Sequence, residues 1–176
     1  MKLSPTIGKL KKAQQAALAS AVTGSGEHAK SVLVNAIYDR YAFKMRDYIS
    51  QRLALSVDHR FAELRVSARH RITNAINFVE EPVYRQSKNP RTPSKMVLDG
   101  YMGAFLRGKT SHWGGAFTFV GKNNNLLLAY REKGDLSREI PDVSYGPSVA
   151  GALVNVREQA YPQVMKHIQK RYQREL

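Results

Sequence analysis

The chain contains no cysteine, and this absence excludes several kinds of protein. Without a thiol there is no disulfide framework, no thiolate metal site, no iron–sulfur cluster and no cysteine nucleophile. Long apolar runs are also missing, since the longest, such as residues 125–130, fall far short of the ~20 residues that span a bilayer. No apolar segment precedes the lysines at positions 9, 11 and 12, so we expect no secretory signal and no membrane partner.

Acidic residues are scarce compared with basic ones. The 176 residues include 28 Lys and Arg but 14 Asp and Glu, which gives a formal net charge of +14. A charge of this size predicts a polyanion nearby, either nucleic acid, an acidic protein or an anionic membrane face. For any single basic residue, a solvated surface position is the default interpretation. The length suits one domain, or one domain with an arm, and allows a sizeable core.

Apolar residues recur at helical spacing in three segments. The spacing predicts helices over residues 4–22, 27–49 and 147–173. A Thr-Gly-Ser-Gly break at positions 23–26 separates the first two helices. Pro162 lies inside the third helix, where it removes a backbone donor, so we expect a kink there.

The middle of the chain shows strand patterns instead. Leu64, Val66 and Ala68 alternate with polar residues from about position 61, and a second alternation places Ile72, Ile76 and Phe78 on one side. Residues 86–95 predict a loop because they contain two prolines and two serines, and the apolar runs 116–120 and 126–131 flank a Gly-Lys-Asn-Asn-Asn turn. Residues 132–146 are irregular and polar, and 96–107 give no clear prediction.

Segregated helices and strands predict an α+β fold: N-terminal helices, a small antiparallel β-sheet with a hairpin, and a long kinked C-terminal helix. We expect residues 1–176 to form a single domain. Its parts would be a helical N-terminal segment over 1–60, a β-rich part over 61–146 and the C-terminal helix over 147–176.

The sequence offers no constellation for catalysis. Five histidines occur, and none lies at metal-ligand spacing from another. Phosphate-binding glycine loops and nucleophile elbows are absent from the sequence, and the adjacent Glu80 and Glu81 would face opposite sides of a strand. We therefore nominate no catalytic, cofactor-binding or metal-binding residue and expect a protein that is not an enzyme.

Two groups of basic residues are candidates for contact with nucleic acid or another partner. One group lies on the predicted C-terminal helix, where basic residues recur every four positions on one face. The other lies in the loop 86–95, which could reach a neighbouring molecule. The candidate contact residues are Lys166, Lys170, Arg171, Arg174, Lys88, Arg91 and Lys95.

The C-terminal part carries a recognisable order of short motifs. In sequence order they are Gly115-Ala116-Phe117, the hairpin with its Gly-Lys turn, Arg131, Gly134-Asp135-Leu136, Ile140-Pro141 and Tyr145-Gly146-Pro147-Ser148-Val149 at the start of a long helix that ends in basic residues. This order resembles the bacteriophage minor tail protein Z family, which comprises tail-completion proteins of the head–tail junction. The resemblance is firmest over about residues 114–176 and extends to the N-terminal helices by order and composition only. The basic loop and residues 100–113, with Trp113, have no counterpart in it.

The resemblance implies a non-enzymatic structural virion protein, made in the host cytoplasm and located in the tail or neck. Its copies would form a six-fold ring between the tail tube or terminator protein and the head-side connector, with packaged DNA passing through the lumen. Gly146, Pro147 and Ser148 would shape the turn before the last helix. Two alternatives remain open: a stand-alone basic DNA- or RNA-binding protein, and a small enzyme such as a nuclease.

Overall fold

The computed structural model describes residues 11–131 and 141–176. These residues divide into two units, a helical unit and a sheet unit. The helical unit contains the described residues up to Asp39, then Arg46–Arg71 and Val149–Leu176. The sheet unit contains Arg40–Met45 and the described residues of Ile72–Ser148. Helices at both ends with small antiparallel sheets between them confirm the α+β prediction. That all 176 residues form one domain stays a prediction.

The helical unit is built from helices and one hairpin. Its elements are α1 (Lys12–Thr23), α2 (Gly26–Arg40), α3 (Arg46–Ser50), β1 (Leu53–Asp58), β2 (Glu63–Ala68) and α4 (Val149–Glu175). The strands β1 and β2 pair antiparallel, with Leu53 opposite Ala68. Val22, Ala62 and Ile168 form a buried cluster in which α1, the hairpin turn and α4 meet. This burial of apolar area is the main stabilising contribution to the unit.

A short turn separates α1 from α2. The Ser25 hydroxyl donates to the Ala21 carbonyl at 2.6 Å, and Ser25 is fully buried. A Cβ at Gly26 would come within 2.9 Å of the Leu55 side chain, so the hairpin approaches the chain closely at this point. The predicted break between the first two helices is confirmed. Residues 4–10 of the first predicted helix lie outside the described residues.

The second predicted helix, over 27–49, is wrong in its length. α2 ends at Arg40, and the next helix begins at Arg46. Between them, Tyr41 and Phe43 are buried, and Tyr41 forms a β-bridge with Leu106. The apolar residues in this stretch follow a strand-like period because they belong to the core of the sheet unit. The strand β1 also lies inside the range 1–60, which was predicted to be helical.

The described residues of the sheet unit form three small antiparallel sheets. Its elements are β3 (Thr73–Asn74), a 3-10 helix (Ala75–Phe78), β4 (Val79–Gln86), β5 (Met96–Gly103), β6 (Ser111–Gly114), β7 (Phe117–Val120), β8 (Leu126–Tyr130), β9 (Asp142–Val143) and β10 (Tyr145–Gly146). The strand orders are β4-β5-β6, β7-β8-β9 and β10-β3. The predicted loop 86–95 connects β4 to β5, and the predicted hairpin is β7–β8, so both predictions are confirmed.

Asn74 connects three segments of the sheet unit. Its side-chain oxygen accepts from the backbone amides of Ile76 at 2.9 Å and Leu128 at 3.0 Å, and its amide donates to the Ser144 carbonyl at 3.1 Å. Nearby, a series of aromatic contacts begins at the buried rings of Phe43 and Phe78 and continues to more exposed rings. The ring centroids of Phe43 and Phe78 are 4.6 Å apart, and the series continues from Phe78 through Phe105 to Trp113.

Three further expectations need correction or limits. The alternation through Ile72, Ile76 and Phe78 is not a strand, because Ala75–Phe78 forms a 3-10 helix after a strand of two residues. The predicted irregular segment 132–146 contains β9 and β10, while residues 132–140 lie outside the described part. α4 begins at Val149, two residues later than predicted, and contains Pro162 in its interior. The kink stays a prediction.

Candidate functional site

The C-terminal half of α4 presents a basic face formed by Lys166, Lys170 and Arg174. All three residues are exposed to solvent. Their spacing of four residues places the three side chains one above another along the helix. The structure thus keeps these predicted contact residues together on one surface, where they are available to a negatively charged partner.

Arg171 lies on the same helix but has a different environment. Its guanidinium donates to the Gly24 carbonyl at 3.1 Å, just after the end of α1, and to the Glu175 carboxylate at 3.3 Å. A Cβ at Gly24 would collide with this guanidinium, which therefore lies directly against the chain. The unpaired carbonyls at a helix C-terminus attract cations. Arg171 therefore joins α4 to α1. No sequence signal distinguishes it from its basic neighbours, because the contact depends on a residue far away along the chain.

A histidine pair lies next to this junction. The rings of His28 on α2 and His167 on α4 stack with centroids 3.8 Å apart and an interplanar angle of 17°. Loss of hydration lowers the pKa of His167, and the nearby His28, Arg171, Lys170 and Arg174 lower it further. Protonation of His167 is therefore opposed by its surroundings, and the stacked pair is favoured when this ring is neutral.

The second predicted basic group lies on the hairpin formed by β4 and β5. We call residues 82–98, the outer part of β4–β5 and its connecting loop, the ribbon. In the ribbon Tyr84 pairs with Leu98 and Gln86 pairs with Met96. The third strand, β6, pairs with β5 further in, over residues 100–103. The side chains of Tyr84, Met96 and Leu98 share one face of the ribbon because cross-strand partners and alternate residues point the same way.

The tip of the ribbon is held by its own hydrogen bonds. The Ser87 amide donates to the Lys95 carbonyl at 2.8 Å, which closes the loop. Within it, the Asn89 side chain accepts from the Arg91 amide at 3.0 Å, and the Asn89 carbonyl accepts from the Thr92 amide at 3.0 Å. Lys88, Arg91 and Lys95 are exposed on this loop. The three predicted contact residues are therefore presented on a defined backbone.

An apolar groove of about 250 Å³ opens in the helical unit. α2, β2 and α4 contribute its walls, which include Leu33, Leu64, Val66, Leu153 and Val164. Arg157 and Tyr161 also line it and provide polar groups. Val154, another lining residue, is more than half exposed. The groove is thus open to solvent as well as largely apolar.

The predicted turn before the last helix consists of Gly146, Pro147 and Ser148. Gly146 belongs to β10 and pairs with Thr73. A Cβ at this position would come within 2.6 Å of the Phe78 ring, so glycine is required by close packing. Ser148 directly precedes Val149, the first residue of α4. Pro147 therefore lies before the helix, whereas the sequence predicted it as the first helical residue.

The described residues contain neither a cluster of metal-binding side chains nor a helix that could span a membrane. Nowhere in residues 11–131 and 141–176 do three His, Asp or Glu side chains come together as metal ligands. The helices in those same ranges are too short or too polar to cross a bilayer. Comparisons with known protein families, with curated proteins and with solved structures find no match to this chain.

Proposed function

We propose that this chain is a non-enzymatic structural protein of a tailed bacteriophage virion. It acts as a tail-completion or neck component and forms a ring at the head–tail junction. The observation that carries the proposal is the order of motifs over residues 114–176, which resembles that of the minor tail protein Z family. Gly134-Asp135-Leu136 and Ile140 lie outside the described residues, and the other motifs correspond to the hairpin β7–β8, the strand β10 with Gly146, and the helix α4.

The surfaces of the chain support assembly into a ring. Closed rings use head-to-tail contacts, so each subunit needs two different surfaces. The sheets β4-β5-β6 and β7-β8-β9 each end in edge strands, which can accept a strand from a neighbouring molecule. At the turn of β7–β8, Val120 and Leu126 expose more than half of their surface and pair across the hairpin. Such apolar edges favour contact with another subunit.

The charge of the chain supports a position beside DNA or acidic proteins. In a ring with DNA passing through it, the basic face of α4 would meet phosphates in the lumen or acidic faces of the tail terminator or head connector. Replacing Lys166, Lys170 and Arg174 together by Gln should impair retention of DNA or joining of head and tail. Particles that form in normal yield and keep their DNA would refute this role for the basic face.

The experiment that tests the main proposal is localisation. We would tag the C-terminus, purify particles from the host and label them with gold-conjugated antibody, with untagged particles as the control. Gold at the head–tail joint, in a small constant number per particle, would support the proposal. Particles without gold, while the tagged protein is present in the lysate, would contradict it.

A stand-alone DNA- or RNA-binding protein is the second candidate function. The basic residues of the ribbon favour it, because they need no ring to bind a polyanion. The two functions differ in assembly. A ring protein forms closed oligomers or joins tails, whereas a stand-alone protein remains a small species in native mass spectrometry and binds free nucleic acid.

A further inference from the structure

The outer half of the ribbon exposes several large apolar side chains. On the face that Tyr84, Met96 and Leu98 share, these side chains are 56%, 55% and 38% exposed. On the opposite face Arg85 is exposed and its cross-strand partner Val97 is half-buried. A two-stranded hairpin that buries so little is marginally stable by itself. Apolar side chains on such a ribbon are better explained by contact with a partner than by folding.

The ribbon has a charge of one sign. Residues 82–98 contain Arg85, Lys88, Arg91 and Lys95 and no acidic residue. Arg85 forms an ion pair with Asp99, at 2.6 Å between the Arg85 Nε and a carboxylate oxygen. The other three cations surround the tip and are exposed. The tip of a second copy would carry the same positive charge and repel this one, so this surface favours a polyanion over contact with its own counterpart.

We propose that the ribbon binds double-stranded DNA without sequence preference. The shape fits, since the grooves of B-form DNA admit a two-stranded β-ribbon. Lys88, Arg91 and Lys95 would neutralise phosphates on the groove walls, while Tyr84 and Met96 would contact sugars and base edges. Because the loop backbone is already held by its own hydrogen bonds, little ordering is needed on binding.

The salt dependence of DNA binding gives the size of the effect. Each phosphate neutralised on duplex DNA contributes about 0.9 to the slope of log affinity against log salt concentration. Three tip cations therefore account for about 2.7 of that slope. The variant K88Q/R91Q/K95Q should show a slope shallower by this amount between about 50 and 200 mM salt.

The control variant removes the same charge elsewhere. K12Q/R60Q/K122Q replaces three exposed cations on α1, the β1–β2 turn and the β7–β8 turn. We would measure binding of both variants and the unaltered protein to a fluorescent DNA duplex by anisotropy, after circular dichroism confirms that each is folded. A slope change of about 2.7 in the ribbon variant, with a much smaller change in the control, supports the proposal. Equal changes in both variants would overturn it, as would an unaltered protein that does not bind DNA.

Two further measurements separate DNA from other partners. Duplex RNA has a deep, narrow major groove that side chains cannot read, so the unaltered protein should bind it more weakly than DNA. Equal affinity for both duplexes would overturn the groove-binding proposal. If the ribbon variant loses oligomers but keeps its salt slope, the ribbon contacts protein instead. The inference does not depend on the proposed ring, since unlabelled virions would leave the DNA measurements unchanged.

Discussion

The contact between Arg171 and the end of α1 predicts different effects for two neighbouring arginines on α4. Replacing Arg171 by Gln removes the hydrogen bond to the Gly24 carbonyl and the ion pair with Glu175. Hydrogen bonds from charged donors contribute about 1.5–3 kcal/mol, and exposed ion pairs at this spacing about 0.3–0.5 kcal/mol. The Arg171 side chain is 38% exposed, so we take the lower end and expect a loss of about 2 kcal/mol.

Hydrogen exchange can measure this loss where it occurs. A local loss of about 2 kcal/mol makes amides exchange about 30-fold faster when exchange follows local opening. We expect that acceleration for the amides of α1 in R171Q, with little change in the sheet unit. Arg174→Gln is the matched control, because it removes the same charge from an exposed residue three positions away. Similar acceleration of α1 in both variants would show that charge, not the Gly24 contact, determines the stability of this junction.

Three other changes test the remaining structural arguments. Because the pKa of His167 is lowered in the fold, the unfolded chain binds a proton at this ring more readily than the folded chain. The free energy of unfolding, measured by urea titration, should therefore decline as the pH falls below 6.5. His167→Gln should flatten that decline. Asn74→Ala removes three hydrogen bonds and should lower the free energy of unfolding by about 3 kcal/mol, whereas Asn123→Ala at an exposed turn should change it little. Gly146→Ala should destabilise the sheet unit by about 1–3 kcal/mol, because the new Cβ would collide with an aromatic ring. Thermal melts measure this loss, and those of the control Gly114→Ala, whose new Cβ meets nothing closer than 3.6 Å, should match those of the parent.

The apolar spacing and turn residues of the sequence predicted the elements whose structure depends on neighbouring residues alone. The β7–β8 hairpin follows from two apolar runs around a Gly- and Asn-rich turn, and most of α4 follows from a long apolar stripe. The end of α2 could not be predicted in this way. Tyr41 continues the helical stripe of the preceding residues, and only its contacts in the sheet unit show that it leaves the helix. Tertiary packing outweighs helical propensity at such positions.

The candidate surfaces also include some features that the sequence could predict and others that depend on contacts between distant residues. The basic residues of the ribbon and of α4 were identified from composition and spacing alone. The absence of acidic residues over 82–98 was also visible in the sequence and indicates the extent of the ribbon. The separate role of Arg171 was not visible, since it depends on Gly24, which lies far away in the sequence. The same holds for the stacked rings of His28 and His167.

The division of the helical unit along the chain has a consequence for folding during translation. Its buried cluster needs Ile168 from α4, but α4 leaves the ribosome after all of the sheet unit has been made. The sheet unit can therefore fold while α1, α2 and the β1–β2 hairpin still lack their partner helix. During that interval Val22 and Ala62 remain uncovered, which favours chaperone binding and aggregation. A nascent chain stalled before Val149 should accordingly bind holdase chaperones and should be released once α4 emerges.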